Sequence, residues 1–220
     1  MRFTNFKLIY SANFKKYMKK SLLLSALLLT VSIAANAQFN VANLSVGLHG
    51  NYAMYKGDLN KSTPGAGLRI GYNFGEKTSA IVGFTYGFPI KDSGVKEGTN
   101  YNSQVNLSTI SVSAMYHLIG TTEDNFSFYI PVGGAYVMST SKLTITGKPE
   151  FSEKASGFTI NAGLGAQFKI GRPILFVEGQ FALPSGSSSS NTRTGSVGND
   201  NPIPFHTLFN IGLKIPLGSE

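Results

Sequence analysis

Cysteine and tryptophan are absent from this 220-residue chain, and only 14% of its residues are charged. Without cysteine there is no disulfide framework, no thiolate metal site, no cysteine nucleophile and no lipid-modified cysteine behind a cleavage site. The charged fraction is well below the roughly 25% of an average soluble domain. What the chain has instead is 25 glycines and a 42% hydrophobic content, too apolar for wholesale disorder. One folded domain is expected at this length.

A formal net charge of +8 suggests a nucleic-acid or anionic-lipid partner only if the charge is spread over the folded part. It is not. Six of the 19 basic residues (Arg2, Lys7, Lys15, Lys16, Lys19, Lys20) precede position 38, and no acidic residue does. The remaining 13 basic residues against 11 acidic ones leave +2 for Gln38 to Glu220, so no nucleic-acid partner is expected.

Lys19 and Lys20 are followed by the apolar run Leu22 to Ala35 and then by Ala35-Asn36-Ala37, small residues where a signal peptidase reads them. At 14 residues the run falls short of the about 20 that a membrane-spanning helix needs. Residues 1–37 are therefore expected to be a cleavable signal peptide, and 38–220 the mature domain. Met18 with its two lysines makes a compact signal by itself, so Met1 to Tyr17 is either an extended n-region or an artefact of start-codon choice.

From Ala42 onward apolar residues recur at every second position, with no sustained period of 3.6. Strands are expected at Ala42 to Tyr55, Gly65 to Phe74, Ser79 to Lys91, Val105 to Ile119, Phe126 to Leu143, Gly157 to Ile170, Ile174 to Pro184 and Phe205 to Leu217. The connections alternate in length. Lys56 to Pro64, Asp92 to Gln104, Thr144 to Ser156 and Ser185 to Pro204 are long and share one rim. Gly75 to Thr78, Gly120 to Asn125 and Gly171 to Pro173 are short and share the other. Even strand number with long and short ends segregated is the pattern of an outer-membrane barrel, whose short turns face the periplasm.

Alternation alone does not separate such a barrel from a soluble lipocalin-like calyx, so the chemistry of the polar face decides. In Gly157 to Ile170, Phe158, Ile160, Ala162, Leu164, Ala166, Phe168 and Ile170 fall on one face. Thr159, Asn161, Gly163, Gly165, Gln167 and Lys169 fall on the other. Ile110, Val112, Ala114, Tyr116 and Leu118 likewise oppose Ser111, Ser113, Met115 and His117. Mid-strand charges reduce mainly to Arg69, Lys169, Glu178 and Lys214, far fewer than a soluble exterior carries. The polar face is thus expected to line a narrow bore and the apolar face to meet lipid. Phe74, Tyr116, Phe126, Phe128 and Phe168 towards the short turns, and Tyr52, Tyr55, Phe88, Tyr136, Phe158, Phe181 and Phe205 towards the long loops, are expected to form two interfacial girdles.

An export signal followed by eight alternating strands with glycine-rich inward faces resembles the small OmpA/OmpX-like outer-membrane barrels. These include the porin-family (PorT-like) barrel domains of Gram-negative bacteria. The resemblance covers Ala42 to Leu217. It implies an all-β, eight-stranded, antiparallel up-and-down transmembrane β-barrel in the cell outer membrane, standing alone without an added peptidoglycan-binding domain. Outer-membrane lipid and, during insertion, the barrel-assembly machinery are the implied partners. The family often closes its last strand on an aromatic residue, whereas Phe205 to Leu217 ends in leucine.

Within the bore, Arg69, Lys169, Glu178, Gln180 and Lys214 are expected to form a polar, ion-paired network with a structural role, fixing the register of the last three strands. No catalytic residue, cofactor or metal ligand is assigned. The three histidines are His49, His117 and His206. His206 is followed by Thr207 and Leu208, so the His-x-Ser spacing of lipid A deacylase barrels is absent. Eight strands leave too little bore for an open pore. The expected function is a structural or surface-interaction role, in envelope integrity, adhesion or binding of an extracellular ligand, through the long loops. The alternatives are a secretion-associated PorT-like barrel contacting a secretion component, a soluble lipocalin-like calyx and a lipid-modifying enzyme.

Overall fold

A sheet whose outer face is apolar on every strand has no wet edge to spare, because each unpaired N–H or C=O must find a partner. In the computed structural model, which describes residues 40–56, 61–96, 99–147, 151–191 and 205–218, the sheet resolves this by closing on itself. The expected signal segment lies outside the described residues.

The strands are β1 (Leu44–Tyr55), β2 (Ser62–Asn73), β3 (Thr78–Lys96), β4 (Thr99–Ile119), β5 (Phe126–Ile145), β6 (Phe151–Lys169), β7 (Ile174–Asn191) and β8 (His206–Pro216). Each pairs antiparallel with its sequence neighbours, and β1 also pairs with β8, through partners such as Val46 with Ile215 and Gly50 with Ile211. Gly120 and Gly171 adopt positive φ (70° and 66°) in two of the short turns, a conformation that glycine takes without steric cost.

The two faces separate as the alternation requires. Ile110, Leu164 and Ile211 are 46%, 54% and 58% exposed, whereas Arg69 and Glu178 are 7% and 2% exposed. Phe74, Tyr116, Phe126 and Phe168 face outward near the short turns, and Tyr52, Phe88, Phe158 and Phe181 do so near the opposite rim. Tyr55 does not join them. It lies three residues after Tyr52, an odd spacing that turns it to the opposite face, and it is buried inside the ring.

The long-loop side differs most from the sequence expectation. Residues expected to be connections are largely strand: β3 continues to Lys96, β4 starts at Thr99, β5 reaches Ile145, β6 starts at Phe151 and β7 runs to Asn191. Backbone pairing persists there, from Ile90 opposite Val105 to Lys96 opposite Thr99, and from Val105 opposite Ser141 to Tyr101 opposite Ile145. Beyond the apolar band neither face has to be greasy, so the alternation that reveals a strand disappears while the hydrogen bonding does not. The stretch 192–204 lies outside the described residues.

The inward face is also less uniformly polar than the sequence suggests. Ala53, Tyr55, Ile90, Leu107 and Val137 form a buried apolar cluster beneath the long-loop rim, and Ile81, Met115 and Tyr129 form another. The bore thus carries apolar clusters as well as polar side chains.

Outward and inward positions should respond oppositely to charge. Leu164→Arg, on the outward face, is expected to destabilise the barrel by about 2–4 kcal/mol if it sits at mid-bilayer. Urea unfolding in lipid vesicles measures this, and an unchanged midpoint would mean the residue does not contact acyl chains.

Candidate functional site

Inward parity places Arg69 on β2, Glu178 on β7 and Tyr129 on β5, and strand tilt brings these three distant walls to one level in the bore. Arg69 donates from Nη1 to Glu178 Oε1 at 2.8 Å and from Nη2 to Oε2 at 2.9 Å, a two-pronged pairing of guanidinium with carboxylate. Tyr129 OH donates to Oε1 at 2.8 Å. Gln180 Nε2 and Asn210 Nδ2 approach Oε2 at 3.3 and 3.4 Å. The carboxylate therefore receives five donors, which is what an ion pair needs to survive burial.

Aromatic and small residues shape the space around this pair. The Phe176 ring lies 3.7 Å from the Arg69 guanidinium carbon and covers the face of the cation. A Cβ on Gly165 would stand 2.5 Å from the Tyr129 ring, and one on Gly212 would stand 2.6 Å from the Phe176 ring. These two glycines make room for the rings that brace the ion pair. His49 Nε2 lies 3.1 Å from Thr85 Oγ1, and His117 Nδ1 lies 2.9 Å from Ser127 Oγ, both inside the bore.

Of the five residues expected to cluster, the structure brings Arg69, Glu178 and Gln180 together. Lys169 does not reach them: it stands opposite Ile174, whereas Glu178 stands opposite Gly165, four residues further along β6. Lys214 is buried, flanks Gly47 in the same row as Arg69, and makes no ion pair with any described residue. Both lysines line a cavity at the short-turn rim. Tyr129, Asn210 and Phe176 were not singled out from the sequence. Their inward parity is visible there, but which of many inward residues share a level depends on register and tilt, which no single strand encodes.

The bore is thus layered, with an apolar cluster outermost, the Arg69–Glu178 pair in the middle and lysines towards the short turns. A cavity of about 60 Å³, lined by His49, Asn51, Tyr55, Arg69 and Glu178 among others, is the space left above the pair. A space of that size takes only a few waters. No group of histidine, aspartate and glutamate with metal-binding geometry occurs among the described residues.

The chain resembles known proteins as follows. The description "outer membrane protein beta-barrel domain" matches residues 22–174. A major outer membrane protein from Thermus thermophilus is 12% identical, covers 78% of this chain and 98% of its own, and superposes with a TM-score of 0.56. The attachment invasion locus protein Ail of Yersinia pestis is 13% identical, with coverage of 78% and 97% and a TM-score of 0.48. Neisserial surface protein A is 14% identical, with coverage of 79% and 97% and a TM-score of 0.47. No curated protein sequence matches the chain.

Removing one partner of the central pair leaves the other charge buried without a counter-ion. Glu178→Ala is expected to cost about 3–5 kcal/mol of stability. Replacing both, as Arg69→Met with Glu178→Leu, should recover much of the loss. Thermal unfolding in detergent checks both. Equal melting temperatures for Glu178→Ala and the parent would show that the pair contributes nothing.

Proposed function

The chain belongs to the outer membrane protein β-barrel domain family, and from that premise we propose that this outer-membrane barrel acts at the cell surface, as a binding or adhesive element. One observation carries this reading: five consecutive strands, β3 to β7, continue past the level where β1, β2 and β8 stop. The ring closes up to Ala182 opposite His206, while pairing between β6 and β7 persists to Glu153 opposite Asn191. An ordered sheet held clear of the membrane presents side chains in fixed positions, as specific contact requires, and long outer segments in this fold face the medium.

Its chemistry suits contact with a macromolecule. Lys61 and Asp92 form an ion pair of 3.1 Å that ties the β3 extension to the start of β2. Val95 is 68% exposed, and Tyr101, Leu143, Ile145 and Phe151 are half-buried among serines and threonines. Mixed polar and aromatic surfaces on a rigid support are typical of recognition surfaces. The packed bore argues against diffusion as the task. A structural role for the Arg69–Glu178 layer is part of the same reading, since it holds the walls in the register that aligns the outer strands.

Replacing residues 93–102 with Asn-Gly joins Asp92 to Ser103 through a tight hairpin and removes the β3–β4 tip, together with its pairing to Thr144 and Ile145 of β5. Cells carrying this variant are expected to adhere less to matrix-coated surfaces than parent cells, with unchanged detergent sensitivity. The variant should still migrate differently on gels before and after boiling. Undiminished adhesion with loss of cargo secretion would favour the secretion-associated reading instead.

A further inference from the structure

We infer that the short-turn rim contains an anion site for a small phosphate-type oxyanion, centred on Lys214. A cavity of about 320 Å³ opens there inside the ring, and its polar lining includes Ser45, Thr122, Glu123, Lys169, Arg172 and Lys214. Lys169 and Lys214 both stand opposite Ile174 in one row across β6, β7 and β8. Arg172 belongs to the turn just before Ile174, and its Nη2 donates to Pro216 O at 3.3 Å, which holds the guanidinium at the mouth. Three cations thus surround a space whose lining holds one carboxylate among the described residues.

Lys214 supplies the second, independent observation. It is 6% exposed, lines this cavity and makes no ion pair with any described residue. Glu178 offers it little, because both carboxylate oxygens already receive Arg69, together with Tyr129, Gln180 and Asn210. The buried charges Arg69, Glu178 and Lys214 leave one positive charge uncompensated. Lys214 lines this cavity without a counter-charge, and a bound anion supplies one.

The donors indicate which anion. Two ammonium groups and a guanidinium match an oxyanion with several acceptor oxygens better than a single-point halide. Glu123 at the mouth disfavours extended polyanions. The space lies inside the ring of strands, away from the acyl-tail surface, so the anion comes from solution on the side that faces the periplasm in such barrels and not from a lipid headgroup.

The test uses the full barrel refolded in neutral, phosphate-free detergent and titrated with inorganic phosphate by calorimetry at constant ionic strength. One saturable site is expected, weakened at least tenfold in Lys214→Met, largely retained in Lys214→Arg and unchanged in Lys91→Gln on the opposite rim. Heat-dependent gel mobility verifies that each variant is folded. If Lys214→Met does not fold, Arg172→Gln takes its place and should bind several-fold more weakly. Absence of saturable binding, equal affinity in parent and variant, equal heats with chloride, or tighter binding of acetate than of phosphate would each overturn the assignment.

Discussion

Hydrocarbon offers no hydrogen bonds, so a sheet that faces it must leave no strand edge open. The β1–β8 pairing meets that condition, and much else in the structure follows from it. Once the ring is closed, every residue has only two destinations, lipid or bore, and period-two alternation becomes compulsory. With eight strands the bore is too narrow to take large side chains from every wall. Gly165 and Gly212 are consequences: each yields its volume to a ring from elsewhere, Tyr129 or Phe176, and those rings in turn brace Glu178 and Arg69.

A closed, filled cylinder has little freedom to do chemistry in its middle. The Arg69–Glu178 pair spans the bore from β2 to β7 with every carboxylate lone pair engaged, and the apolar cluster around Leu107 and Val137 seals the level above it. What such a molecule can vary without breaking closure is what lies beyond the apolar band. Both features of interest lie there: the strand extensions at one rim and the cation-lined cavity at the other.

Which face each residue occupies was legible from the sequence because parity is a local property. Ile110, Leu164 and Ile211 on the outside and Arg69, Glu178 and Lys214 on the inside follow from counting along single strands. Tyr55 obeys the same count, and grouping it with Tyr52 in a girdle overlooked the odd spacing between them. Which inward residues meet was not legible. That depends on the stagger between strands, a property of the whole ring, and it is why Lys169 ends at the rim while Tyr129 and Asn210 join Glu178. Strand ends on the long-loop side were hidden for another reason. Outside the apolar band nothing forces alternate residues to be hydrophobic, so Ser103, Asn102 and Thr99 pair as strand with no compositional sign of it.

The two lysines show how a departure from the expected cluster becomes informative. Two buried cations, Arg69 and Lys214, face one buried carboxylate, Glu178, so whichever pairs with it leaves the other unmatched. Arg69 occupies that carboxylate, and a guanidinium does so better, because its planar fork engages both oxygens at once whereas an ammonium presents a point charge. Lys214 is left with its charge directed at the open end of the cylinder, beside Lys169 and Arg172. The geometry that completes the central ion pair is therefore the same geometry that leaves an attractive field for anions at the rim.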